Sequence, residues 1–174
     1  GKDVASLTTS VDYNQNIIIG SEAGQNIQQD NQIFIGTNAG QANTTGDRNI
    51  FIGLNAGKTN IISQDNIVIG SDAGVSLVGN TGIGDNVIIG SQAGHDLVSG
   101  INNIFIGSNS ATNAILGINN VIIGANSMSQ GDSSNVVIIG NLAGQNNNAD
   151  GMIAIGYLAG KANTSGENNL FIGK

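Results

Sequence analysis

The chain has 174 residues, with no Cys, no Pro, no Trp and one His, and five basic against twelve acidic side chains give a formal net charge of −7. Without cysteine there are no disulfides, no thiolate zinc sites and no thiol catalysis. The acidic balance repels polyanions, which argues against nucleic-acid binding, and no apolar run approaches the roughly 18–20 residues of a membrane span.

Residues 1–15, "GKDVASLTTSVDYNQ", open the chain without a complete repeat unit. They are expected to form an irregular segment or a cryptic first repeat, with "VASLTTSV" as a candidate assembly strand. Because the chain starts at Gly, it reads as a mature or excised segment. From residue 16 to 174 one pattern returns. The glycine of an "IG" pair recurs in register as ten anchors: Gly20, Gly36, Gly53, Gly70, Gly90, Gly107, Gly124, Gly140, Gly156 and Gly173. They are spaced by 16 to 20 residues, and Ile precedes every one. Three residues before the anchor stands Ile, Val or Leu, and four before it Asn fills seven of ten positions. Beyond the anchor, Ala then Gly stand three and four residues on in seven of nine units. The exceptions, "GSNSA" at 107–111 and "GANSM" at 124–128, make the middle of the array its least regular part.

An apolar stretch of about four residues, rich in β-branched side chains and closed by Gly, predicts a short strand. One strand per coil at a fixed phase predicts an all-β, parallel β-solenoid of about ten 16–20-residue coils. With rungs about 4.8 Å apart, the rod is expected to be about 45–50 Å long. The Gly anchors suit sharp bends, the Ala a tight interior corner, and the Asn before each strand an amide ladder along the axis.

In "NIFIG" the two outer aliphatic residues share one face and the middle residue takes the other. The outer pair is expected to fill the interior and the middle column to face out. That column holds Ile18, Phe34, Phe51, Val68, Ile88, Phe105, Ile122, Ile138, Ala154 and Phe171, including all four Phe of the chain. Strands apolar on both faces are normally covered on both. Phe34, Phe51, Ile88, Phe105, Ile122 and Phe171 are therefore the candidate oligomer-interface residues. The alternative is a coil wide enough to bury this column itself.

The pattern N-x-[IVF]-I-G-x-x-A resembles the head repeats of trimeric autotransporter adhesins. It is also similar to the N-x-x-I-G-x-x-A-G repeats of phage and algal-virus tail or fibre proteins. The likeness covers residues 16–174, with "NTTGDRNIFIGLNAG" and "NTSGENNLFIG" the nearest units. It implies a left-handed β-roll assembled as a homotrimer, in a surface-displayed fibre or adhesin head. The adhesin unit is shorter, near fourteen residues, and usually has a small Ala where this chain has Phe or Ile, so the roll here should be wider or differently packed.

Motifs with chemical content are few. "GLNAGKT" at 53–59 is near a phosphate-binding loop, but it has three residues between its glycines where that motif has four, and both are columns of the repeat. The single histidine, His95, lies beside Asp96 with no nucleophile motif, and reads as a solvated loop residue. Asp30, Asp47, Asp65, Asp85 and Asp150 precede the strands. They read as turn formers rather than a calcium loop, since no D-x-D-x-D run is present. Asn43 and Asn163 head the two N-x-[ST] sequons, at one phase of their coils, and are expected on an outward loop as candidate glycosylation sites. Thr forms no column of the kind that ice-binding solenoids use.

No catalytic residue, metal ligand or cofactor is assigned. The expected function is a non-enzymatic structural fibre or filament segment, extracellular, on a cell surface or on a virion. Its partner would be itself, as a homotrimer or an end-to-end polymer. The alternative is an adhesin head that binds a glycan or protein.

Overall fold

The computed structural model describes residues 15–78 and 84–174. The N-terminal segment expected as an assembly strand thus lies, but for its last residue, outside the described residues. Ten three-residue strands follow in chain order: β1 (Ile17–Ile19), β2 (Ile33–Ile35), β3 (Ile50–Ile52), β4 (Ile67–Ile69), β5 (Val87–Ile89), β6 (Ile104–Ile106), β7 (Val121–Ile123), β8 (Val137–Ile139), β9 (Ile153–Ile155) and β10 (Leu170–Ile172). They form one parallel sheet in sequence order, with middle residue on middle residue throughout, as in Phe34 on Phe51 and Phe51 on Val68. The chain is an all-β, parallel β-solenoid, as its period predicts.

The strand is short because the backbone leaves the β region on both sides of it. Each coil takes positive φ at up to four phases: the anchor glycine, two and four residues after it, and five before it. In the third coil these are Gly53 (135°), Asn55 (55°), Gly57 (56°) and Arg48 (53°). Among the described residues, Asn and Asp supply twelve of the nineteen non-glycine residues in this conformation. Their short polar side chains tolerate the left-handed region better than other side chains do. The abundance of Asn in the sequence is thus first a matter of backbone geometry.

The corner after the anchor is a run of tight turns. The Ala39 N–H donates to the Gly36 carbonyl at 3.3 Å, and that of Asn43 to Gly40 at 3.0 Å. The same corner is tied along the axis, where the Gly40 N–H donates to the Ala56 carbonyl at 3.0 Å.

The inside and outside of the strand are the reverse of the sequence expectation. Phe34, Phe51, Ile88, Phe105 and Ile122 are fully buried within a single chain, with Phe171 packed against the same core. They fill the coil against the Ala corner, and so do not offer an outer interface. The rings of Phe34 and Phe51 stack with centroids 5.0 Å apart and planes 5° from parallel. The physical reason lies in the glycine four residues after the anchor. A Cβ at Gly57 would stand 2.7 Å from the Phe51 ring, so the corner is shaved to bare backbone to admit it. The interior is wide enough for the bulky column, and the alternative weighed above is the one that holds.

The two irregular coils follow the same logic. Ala111 (φ 49°) and Met128 (φ 42°) occupy the glycine position. Both are buried, in the coils that lead from Phe105 to Ile122 and from Ile122 to Ile138. Met128 is fully buried and joins the same core as the inner column. At β9 the column shrinks to Ala154, and a buried Met152 replaces the usual Asn beside it.

A paired substitution tests this account. Gly74 has nearly the φ of Gly57 (50° against 56°), but a Cβ there would meet Val68 and Ile88 at 3.3–3.4 Å. Gly74→Ala is expected to cost about 1–2 kcal/mol, the left-handed penalty alone. Gly57→Ala should cost about 1–3 kcal/mol more, because the added methyl overpacks against the ring. Equilibrium denaturation of both variants checks the order.

Candidate functional site, an aliphatic sheet face

With the middle column turned inward, the outer strand residues form the external face of the sheet. One column runs Ile17, Ile33, Ile50, Ile67, Val87, Ile104, Val121, Val137, Ile153, Leu170; the other is Ile at all ten positions from Ile19 to Ile172. None of these twenty side chains is polar. None is fully buried, and Leu170 and Ile172 reach 65% and 73% exposure. From the strand rise and the rung spacing, the strip measures about 43 by 12 Å, a footprint of about 500 Å². That lies within the upper range of the largest apolar patch on a soluble monomer.

What holds the strip in register is the predicted amide ladder. Gln32, Asn49, Asn66, Asn86, Asn103 and Asn120 are fully buried, one per coil, just before the strand. The Asn66 Nδ2 donates to Asn49 Oδ1 at 3.0 Å, that of Asn86 to Asn66 Oδ1 at 2.9 Å, and that of Asn103 to Asn86 Oδ1 at 3.0 Å. Each oxygen also accepts the backbone N–H of the next coil, as Asn66 N–H to Asn49 Oδ1 at 3.0 Å. The second amide hydrogen reaches a turn carbonyl, Gly100 for Asn86 at 2.8 Å and Gly117 for Asn103 at 2.7 Å. Such a fully satisfied buried network fixes one register.

A second polar ladder lies further out. Asn38 Nδ2 donates to Asn55 Oδ1 at 2.9 Å, and Asn55 Nδ2 to Asp72 Oδ1 at 2.8 Å. The Asn55 hydrogen bond holds the Asp72 carboxyl below its usual range, against the opposing effect of partial burial.

The charge in the entry turn of the strip centres on Arg48. Arg48 grips Asp65 through Nε at 2.6 Å and Nη2 at 2.8 Å, and reaches Asp47 through Nη1. The Arg48 hydrogen bond is the main reason the Asp65 carboxyl sits below its ordinary 3.8, with burial acting the other way. A depressed carboxylate stabilises the fold above its unfolded pKa, and the gain is lost as pH falls through the folded value. Asp65→Asn is therefore expected to be less stable than the parent at neutral pH. The two should converge as pH drops below 3.8, in denaturation midpoints measured against pH.

The sequons differ from expectation. Asn43 is fully buried, its Nδ2 donating to Asn60 Oδ1 at 3.2 Å. Asn163 is half-buried, with Nδ2 on Asn147 Oδ1 at 2.8 Å and on the Gly166 carbonyl at 2.9 Å. Neither nitrogen faces outward. Their column elsewhere holds buried Ile27, Leu77, Leu97 and Ala114, so it is an interior column.

The phosphate-loop-like corner at 53–59 has its backbone donors engaged. The N–H groups of Gly53, Asn55, Ala56, Gly57, Lys58 and Thr59 all reach backbone carbonyls at 2.8–3.3 Å. His95 Nδ1 lies 2.6 Å from Asp96 Oδ1, both partly exposed. Asp65 (φ 59°) and Asp85 (φ 49°) serve as turn residues. Among the described residues, no group of three or more His, Cys, Asp or Glu is placed to hold a metal ion, and no helix is long and apolar enough to cross a membrane.

A smaller aliphatic patch was not read from the sequence. Ile61, Val98 and Ile115 share one phase of coils three, five and six, and with Leu116 and Ile118 they stand exposed. The signal was present, since the same phase is Gln28, Thr44, Asp132 and Asn148 in other coils.

Fold and site together define a β-solenoid repeat protein with an interior of Phe and aliphatic side chains, a buried amide spine and one uniform aliphatic face. No family model, no curated protein and no solved structure matches the chain.

Proposed function

We propose that the chain is a segment of a non-enzymatic structural fibre, displayed on a cell surface or a virion, and that its work is to hold a stiff, regular shape. The observation that carries this reading is the ten-rung array in unbroken register. Hydrogen bonds and side-chain ladders run along its axis from coil to coil. The polar side chains support it as well, because most Asn of the coils are tied into ladders and turns and so are not presented for chemistry. The likeness to adhesin-head and tail-fibre repeats agrees with this role and adds a trimer as one form of assembly.

Immunogold labelling of the source with an antibody to the array is the test. Label on protruding fibres is expected. Label confined to the cell interior would overturn the reading.

A second reading, an adhesin head that binds a glycan or protein, is favoured by the patch around Ile115, Leu116 and Ile118. A pure scaffold gains nothing from a feature that interrupts its repeat. Binding to a glycan or matrix-protein array, lost in Leu116→Asp, would support it.

A further inference from the structure

We propose that the isoleucine face is the interface with a second copy of this chain, the two strips meeting face to face about an axis parallel to the rods. The proposal rests on the fibre reading and names the partner within it.

Three observations converge on that occupant. First, the strip is continuous over ten rungs and has no polar side chain, whereas the other exposed aliphatics form a patch limited to a few coils. A parallel sheet face of this composition is normally covered. Second, the area is of the right size. Two strips of about 500 Å² bury about 1,000 Å² in flat projection, the threshold for a specific interface. Third, the charge is arranged to permit it. The chain carries a net −7, yet in the first nine coils the residue after the anchor glycine is uncharged: Ser21, Thr37, Leu54, Ser71, Ser91, Ser108, Ala125, Asn141 and Tyr157, with a single cation, Lys174, at the tenth. The edge entering the strands holds Arg48, Asp65 and Asp85. Rotation about an axis along the rod sets the edge with Arg48, Asp65 and Asp85 of one copy against the predominantly uncharged edge of the next. The equal rung spacing of identical chains also lets every Ile of one strip lie level with a rung of its partner.

The test is mass by light scattering over a concentration series, for the parent and for the double variant Ile69→Glu with Ile89→Glu. Both positions are on the face and partly exposed, so the coil can fold with either residue, and the far-UV circular dichroism should match the parent. The parent is expected at a fixed mass of two chains, and the variant at the 17.5 kDa of one. The conservative pair Ile69→Val with Ile89→Val should keep the parent's mass. Since the chain has no native Cys, orientation is read by disulfide trapping. Asp85→Cys with Ser91→Cys should cross-link between chains, and Asp85→Cys with Asn102→Cys should not.

A parent that stays at one chain throughout would overturn the proposal, as would a mass that grows without limit and ignores the face substitutions. The reverse cross-linking pattern would overturn the axial arrangement. The fibre reading fails separately: a monomeric rod found on fibres leaves it standing, and a closed oligomer found off the surface does not rescue it.

Discussion

Replacing Gly70 by alanine is expected to break the array at its fourth rung. The residue sits at φ +142°, a region open in practice only to glycine, which costs on the order of 1–3 kcal/mol for any other residue. Its Cβ would also lie 2.6 Å from the Gly90 carbonyl carbon, with the carbonyl oxygen closer still. Nothing flexible can yield there, because the obstacle is the backbone of the next coil. Relief requires the two coils to part, which stretches the 2.8 Å bond from the Gly90 N–H to the Ile69 carbonyl and the strand pairing beside it. A loss of at least about 4 kcal/mol is expected, combining the backbone and overpacking costs. Gly173→Ala is the internal control. Its φ is +116°, but no atom lies within 4 Å of the added carbon, so only the backbone penalty remains. Thermal and denaturant unfolding of the two variants side by side would decide the point. Equal losses would mean that coil-to-coil approach is not what demands the glycine.

The second large effect is expected at Phe51→Ala. The ring is fully buried, stacked on Phe34 and walled by the Gly57 corner. Truncation removes its transfer free energy and leaves a cavity that a rigid stack of coils cannot close, for a cost of about 3–5 kcal/mol. Phe171→Ala, in the last strand where the ring is only partly buried, should cost much less. Urea unfolding measures both. The result also decides the orientation of the strand. Were the Phe column external, Phe51→Ala would leave stability nearly unchanged and alter self-association instead.

That orientation is where the sequence was least legible. Period, strand phase and parallel stacking could be read directly, because each rests on residues repeated at fixed spacing. The amide ladder was legible for the same reason. Which face of Ile-Phe-Ile turns inward was not, since alternation distinguishes two faces but does not say which is inside when both are apolar. The deciding information lay off the strand, in the bare Gly57 and Ala56 that make room for the ring. It lay also in the size changes of the inner column, where Ala154 is offset by Met152. An outer face meeting flat repetition can be uniform, and the all-Ile column is. The misplacement of Asn43 has the same origin. A sequon was read as a motif, while its column, with Leu77 and Leu97 at the same phase, already identified an interior position.

The pairing pattern has a kinetic consequence. Every strand contacts only its neighbours in sequence, Ile17 with Ile33, Ile50 with Ile67, and so on to Ile153 with Leu170. The loop that must close to add a coil is therefore always between 16 and 20 residues, however many coils already stand. Closure entropy grows only slowly with loop length, so each addition meets nearly the same barrier. Folding can then start at any adjacent pair and zip outward in both directions, with a time that scales with the number of coils rather than with the separation of the chain ends. A whole coil could be gained or lost without retuning the others, and the length of the rod becomes a quantity that can be changed independently of its ability to fold.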